Sequence, residues 1–106
     1  MGWKIVRDND DVHSAAMGVS GQWRVSATPV AGLTRKLFEE AGEFSENGNP
    51  AELYDLLDVV DELIRRLDPA GKIAHHHEQK AETRGTFTRG LEWSPVPAEH
   101  AHRDIS

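Results

Sequence analysis

The sequence predicts a mainly α-helical fold, an antiparallel helix bundle with short strands at its two ends. Three observations predict it. Two successive segments, Pro29 to about Ser45 and Pro50 to about Leu67, place apolar residues at helical spacing. The connection between them is only a few residues long, so the two helices must run antiparallel and face each other. Strand-like character is confined to residues 3–7 and 86–93, outside the helical middle.

The first of these flanking segments, Trp3-Lys4-Ile5-Val6-Arg7, alternates apolar and charged residues and reads as a short strand or extended arm, broken by Arg7-Asp8-Asn9-Asp10-Asp11. A helix near Val12 to Met17 precedes a stretch up to Thr28 that holds Gly18 and Gly21 and has no clear period. Thr28-Pro29 then supplies a cap and a first-turn proline. Leu33, Leu37, Ala41 and Phe44 share one face of the helix that follows, and Lys36, Glu39, Glu40 and Glu43 share the other.

Ser45-Glu46-Asn47-Gly48-Asn49-Pro50 reads as a stop followed by a start. Gly48 suits the left-handed terminal position, Asn49 caps, Pro50 takes the first helical position, and Glu52 stands where a capping box needs an acid. The second helix carries the broadest stripe: Leu53, Leu56, Leu57, Val60, Leu63, Ile64 and Leu67. Asp68-Pro69 offers the start of a third, more polar helix ending near Arg84-Gly85. Residues 86–93 favour a strand able to pair with the one near Ile5, and Ser94-Pro95-Val96-Pro97 closes it. Residues 1–93 are expected to form one domain and 94–106 a mobile tail.

Bulk properties narrow the function. A chain of 106 residues has room for one domain and a small core, so a partner subunit would add useful buried area and a homodimer or homotetramer is expected. There is no cysteine, which excludes disulfides, thiolate metal sites and cysteine nucleophiles. A formal charge of −6 disfavours duplex nucleic acid, whose binding rests on a surplus of Lys and Arg. No signal peptide is visible, Val6 stands where a myristoylation signal has Ser or Thr, and no segment is long and apolar enough to span a membrane. A cytoplasmic protein is expected.

The carboxylates carry the chemistry. Glu39 and Glu43 stack one turn apart with Glu40 beside them, and such like charges repel unless a hard cation with oxygen ligands sits among them. Glu52 and Asp55, one turn apart on the facing helix, can close the same site. Most acidic helix faces are merely solvated, and Glu39, Glu40 and Glu43 alone would be read that way. Two acidic edges on two helices joined by a short turn make a metal site the better reading.

Lys36-Leu37-Phe38-Glu39-Glu40-Ala41-Gly42-Glu43 followed by Glu52-Leu53-Tyr54-Asp55 resembles the EExxE…ExxD signature of the all-α nucleotide pyrophosphohydrolases, the superfamily of MazG-like and phosphoribosyl-ATP pyrophosphohydrolases. Lys4-Ile5-Val6-Arg7-Asp8 is similar to the KLVRDK opening of a small MazG-like subgroup, and Lys80-Ala81-Glu82-Thr83-Arg84-Gly85-Thr86-Phe87 to its KxxRGGF closing segment. Asn9-Asp10 stands where the subgroup has Lys-Ile-Pro, and Thr86 replaces its second glycine.

The resemblance implies an all-α NTP pyrophosphohydrolase bundle in which Glu39, Glu40, Glu43, Glu52 and Asp55 hold Mg2+, with Mn2+ as a substitute, and Glu40 and Glu52 serve catalysis. It further implies that a metal-activated water splits a nucleoside triphosphate or related nucleotide into monophosphate and pyrophosphate. Lys36, Arg7, Lys80 and Arg84 become the candidates for the remaining phosphate oxygens, with arginine suited to paired contacts. The motifs do not identify the nucleotide.

Two other features read more plainly. Adjacent helical residues His75, His76 and His77 point in three directions and cannot share one ion. Trp3, Trp23 and Trp93 read as packing or interface anchors. The competing class is a non-catalytic helical dimer or adaptor, with the same helices and with acidic edges that are only solvated surface.

Overall fold

The computed structural model describes residues 2–96. Four helices follow in order: α1 (Asp10–Ala16), α2 (Pro29–Asn47), α3 (Pro50–Leu67) and α4 (Lys72–Arg84). The chain divides into two compact units, Met1–Gly71 and Lys72–Ser106. Within the first, α2 and α3 form a closely packed helical hairpin. The fold is mainly α and bundle-like, as the apolar spacing predicts.

The ends of α2 and α3 show why the hairpin turns where it does. Gly48 adopts φ 64°, the left-handed region that a Cβ disfavours, and its N–H closes α2 onto the Phe44 carbonyl at 2.8 Å. Asn49 then caps α3 by accepting the Ala51 N–H at 3.0 Å, and Pro50 needs no donor in the first turn. The capping box expected at Glu52 does not form. The Asn49 N–H that Glu52 would accept is donated to Asn47 Oδ1 at 2.7 Å, which leaves the Glu52 carboxyl free for other contacts. At the other end of α2, Thr28 occupies the cap position without a side-chain hydrogen bond.

The core is thin. Leu33 on α2 and Val59 on α3 are its buried apolar side chains, and Glu40 is buried with them. On α3, Leu56 and Leu63 are half-buried and share a face with the buried Val59. Leu53, Leu57, Val60, Ile64 and Leu67 form a second seam about 100° further round the helix, alternating steps of four and three residues. Leu53, Leu57, Ile64 and Leu67 on that seam are exposed.

Neither expected strand is present among the described residues. Residues 3–7 take the other form expected of them, an extended arm, laid on the hairpin. Ile5 lies so close to α2 that a Cβ on Gly32 would stand 2.6 Å from its Cγ1, and Arg7 reaches α3. Side-chain anchoring replaces a backbone ladder. The Arg7 N–H is accepted by Asp10 Oδ2 at 3.1 Å, which links the arm to the first turn of α1. Residues 86–93 likewise form no strand. The Gly90 N–H bonds back to the Phe87 carbonyl at 3.2 Å, a turn in the middle of the segment, and every side chain there is exposed. Propensity without a pairing partner does not make a sheet.

In the second unit, α4 has no buried residue and starts at Lys72, three residues beyond Pro69, because a turn closed by Gly71 at φ 71° intervenes. His75, His76 and His77 are all exposed. Trp93 is exposed too, and Trp3, about half exposed, packs under Arg24, whose guanidinium carbon lies 3.9 Å from the ring centroid. The expected tail begins at Ser94, and its residues 97–106 lie outside the described part. No helix among the described residues is long and apolar enough to cross a membrane.

Candidate functional site

Helix geometry sets the site. The expected face shared by Lys36, Glu39, Glu40 and Glu43 does not hold for Glu40: seven residues after Leu33, it falls on the side of Leu33 and Phe44, so its carboxylate is carried into the helix interface rather than out to water. On α3, Glu52 and Asp55 are spaced one turn apart and face it. One oxygen from each of Glu40, Glu52 and Asp55 lies within 4.8 Å of the others. Three acids so close, one of them buried, repel unless protons or cations intervene.

Two partial answers to that repulsion are built in. Lys36 donates to Glu40 Oε1 at 3.2 Å and approaches Glu39 Oε1 at 3.7 Å. Burial opposes the charge on Lys36, but the hydrogen bond to Glu40 and the charges of Glu39, Glu40 and Glu43 outweigh it and raise its pKa. Glu52 is pushed up to about 7, first by the hydrogen bond it shares with Glu43, then by loss of solvent and by its closeness to Glu40. At neutral pH the cluster therefore retains a proton for part of the time.

Glu40 Oε2 remains unanswered: it is buried and has no hydrogen-bond partner. Leaving a buried polar atom unsatisfied costs about 1–3 kcal/mol, and more for a charged group. A hard divalent cation with carboxylate ligands is the species that these oxygens fit. Glu39 stays outside the trio as a half-exposed partner of Lys36, and Glu43 stands beside Glu52.

The resemblance did not single out Asp58. It sits one turn beyond Asp55, and Arg7 bridges the two, donating to Asp55 Oδ1 at 2.8 Å and Asp58 Oδ2 at 2.9 Å. The Asp58 hydrogen bond leads in raising the Arg7 pKa; loss of solvent opposes it and Asp55 adds to it. The i,i+3 pair Asp55–Asp58 was the available signal. Further along α3, Glu62 accepts from Arg65 Nε at 2.9 Å and Arg66 Nε at 2.7 Å and is held down at about 2, chiefly by Arg65.

Arg7, Lys36, Glu40, Asp55, Arg65 and Arg66 line a groove of about 720 Å3, and Glu52 stands outside its lining. Its size lies within the range of small-ligand pockets. It offers carboxylates for a cation beside guanidinium and ammonium groups for an anion. Lys80 and Arg84 are exposed on α4 in the second unit.

The raised Glu52 predicts a pH dependence with a definite sign. Its proton leaves the unfolded chain near 4.5 and the folded one near 7, so the folded state binds more protons between those values. This group therefore favours folding below about 4.5, and that advantage is lost as pH rises to about 7. Glu62 does not offset it there, because the stability from its depressed pKa is fully present above 4.5 and declines only toward 2. Thermal melts of wild type and Glu52→Gln in chelator at pH 5 and 8 check this. The wild type should lose more Tm between the two pH values than the variant, and an equal loss would contradict the assignment.

Comparison of the chain with protein-family models, with curated protein sequences and with solved structures finds no match.

Proposed function

We propose that the chain is a magnesium-dependent nucleotide pyrophosphohydrolase, cleaving a nucleoside triphosphate or related nucleotide to the monophosphate and pyrophosphate. The observation that carries this reading is the buried, unpartnered Glu40 Oε2 beside Glu52 and Asp55, in a groove also lined by Lys36 and Arg7. The similarity to the EExxE…ExxD signature supplies the reaction class. Glu40, Glu52 and Asp55 would hold Mg2+ or Mn2+, with Glu43 acting through Glu52 and Glu39 through Lys36. Bound there, the cation supplies charge to screen phosphate and to activate water.

The protein's own residues have separate tasks. Glu52, whose carboxyl is not tied up in the helix cap, is the candidate to take a proton from water. Lys36 keeps its charge beside Glu40 and can turn it toward a phosphate oxygen. Arg7, Lys80 and Arg84 remain the further phosphate-binding candidates.

A homo-oligomer belongs to the same proposal. The seam Leu53, Leu57, Val60, Ile64 and Leu67, exposed at all but Val60, has the four-and-three spacing by which helices interlock with a like helix, and a second copy supplies one. Both the enzyme and the adaptor readings accommodate that interface, so it does not separate them. Magnesium does. A binding cation stabilises the folded chain by about 1.4 kcal/mol at ten times its Kd, which raises Tm by several degrees for a domain of this size. Thermal melts with and without millimolar MgCl2 should show that rise, and an unchanged Tm would favour the adaptor.

A further inference from the structure

The N-terminal arm ends its path across the hairpin by placing a cation on the carboxylate site. Ile5 seats the arm against Gly32 of α2, and Arg7 then bridges Asp55 and Asp58 of α3. Asp55 is one of the three grouped carboxylates, whereas Asp58 is not. The guanidinium thus stands at the mouth of the site, held from outside it by Asp58.

We propose that Arg7 is the resident counter-cation of the cluster, seated by Asp58, and that docking of the N-terminal arm and binding of a divalent cation oppose each other. This inference rests on the reading of Glu40, Glu52 and Asp55 as a metal site. Two effects of Arg7 compete. By orienting Asp55 it helps a cation bind, but a pair with both partners about half exposed contributes at most a factor of about five. By repelling the cation it hinders binding: charges of +1 and +2 at a separation on the order of 6 Å alter a binding constant about tenfold even at the dielectric constant of water. Repulsion is the larger effect.

Linkage makes the opposition reciprocal. Whatever factor Arg7 costs the cation, the cation costs the docked state of Arg7. Metal binding therefore loosens the arm and frees a guanidinium at the edge of the groove, where an anionic ligand can take it up as a paired contact. Asp58 is the positioning residue in this device.

The test uses the full chain and Mg2+ alone. Calorimetric titration should show Arg7→Gln binding Mg2+ severalfold tighter than wild type, up to about tenfold. Arginine modification by a dicarbonyl reagent, read by mass spectrometry, gives a second measurement on the wild type itself. Saturating Mg2+ should speed modification of Arg7 relative to the exposed Arg89, and should not do so in Glu40→Gln. Equal or weaker Mg2+ binding by Arg7→Gln, or Arg7 reactivity that ignores Mg2+ in a wild type shown to bind it, would overturn the inference and leave the metal site standing. A wild type that binds no Mg2+ would overturn both.

Discussion

Replacing Glu40 with Gln is expected to abolish magnesium-dependent release of pyrophosphate while leaving the helical content unchanged. The amide keeps the shape of the carboxyl and so preserves the α2–α3 packing around a buried residue. It removes one of three grouped charges and replaces an oxygen by an N–H donor, which a cation cannot use. Altering even a group behind a metal ligand typically costs 10- to 100-fold in affinity or activity, so losing a ligand should cost about a hundredfold or more. Stability without metal should change little, because losing the charge with the unanswered oxygen offsets losing the ion pair with Lys36, which keeps Glu39 nearby. Circular dichroism and a pyrophosphate assay on the same sample separate the two effects. Asp55→Asn should behave alike in the assay, and full turnover in both variants would remove these residues from the site.

Leu33→Ala is expected to give the largest loss of stability of any single truncation. Leu33 is 6% exposed, and with Val59 it makes up the buried apolar core among the described residues. Truncating a buried Leu costs about 2–5 kcal/mol, depending on how far the site can relax. Leu33 also lines the groove, so water can reach part of the space left behind, which places the cost near 2–3 kcal/mol. A domain of this size holds only about 5–10 kcal/mol in total. At about 4–8 °C per kcal/mol, Tm should fall by roughly 10–20 °C. Leu57→Ala, on the exposed seam, should cost far less in a monomer, and thermal melts at low protein concentration check the contrast. Comparable losses would mean that the seam is as buried as the core.

The hairpin was legible because its signals are local. Gly48, Asn49 and Pro50 mark the turn by their own backbone preferences, and α3 ends at Leu67 as its stripe does. Residues 86–93, read as a strand, failed for want of a partner, which no local pattern reports, and for the same reason residues 3–7 take the arm rather than the strand of their two expected forms. Residues 3–7 do alternate, yet Ile5 and Arg7 find helices α2 and α3 rather than another strand.

The same division holds in the site. Glu40, Glu52 and Asp55 could be expected together from helical spacing and a short turn. Spacing also marks the inward member of Glu39-Glu40-Ala41-Gly42-Glu43, because Glu40 stands seven residues after Leu33, but grouping it by charge with Glu39 and Glu43 hid this. The structure buries Glu40, while Glu39 remains half exposed beside Lys36. Spacing could not show that Arg7, 48 residues away in sequence, reaches Asp55. Long-range pairings between charged side chains leave no periodic trace.

The most direct measurement is phosphorus NMR of wild-type protein incubated with a panel of nucleotides in Mg2+ or Mn2+, beside the same panel in chelator. The proposed function predicts that at least one nucleotide yields its monophosphate and pyrophosphate only when the metal is present, and that Glu40→Gln yields neither. Products that form equally in chelator, or a panel left intact by a folded wild type that binds Mg2+, would contradict it.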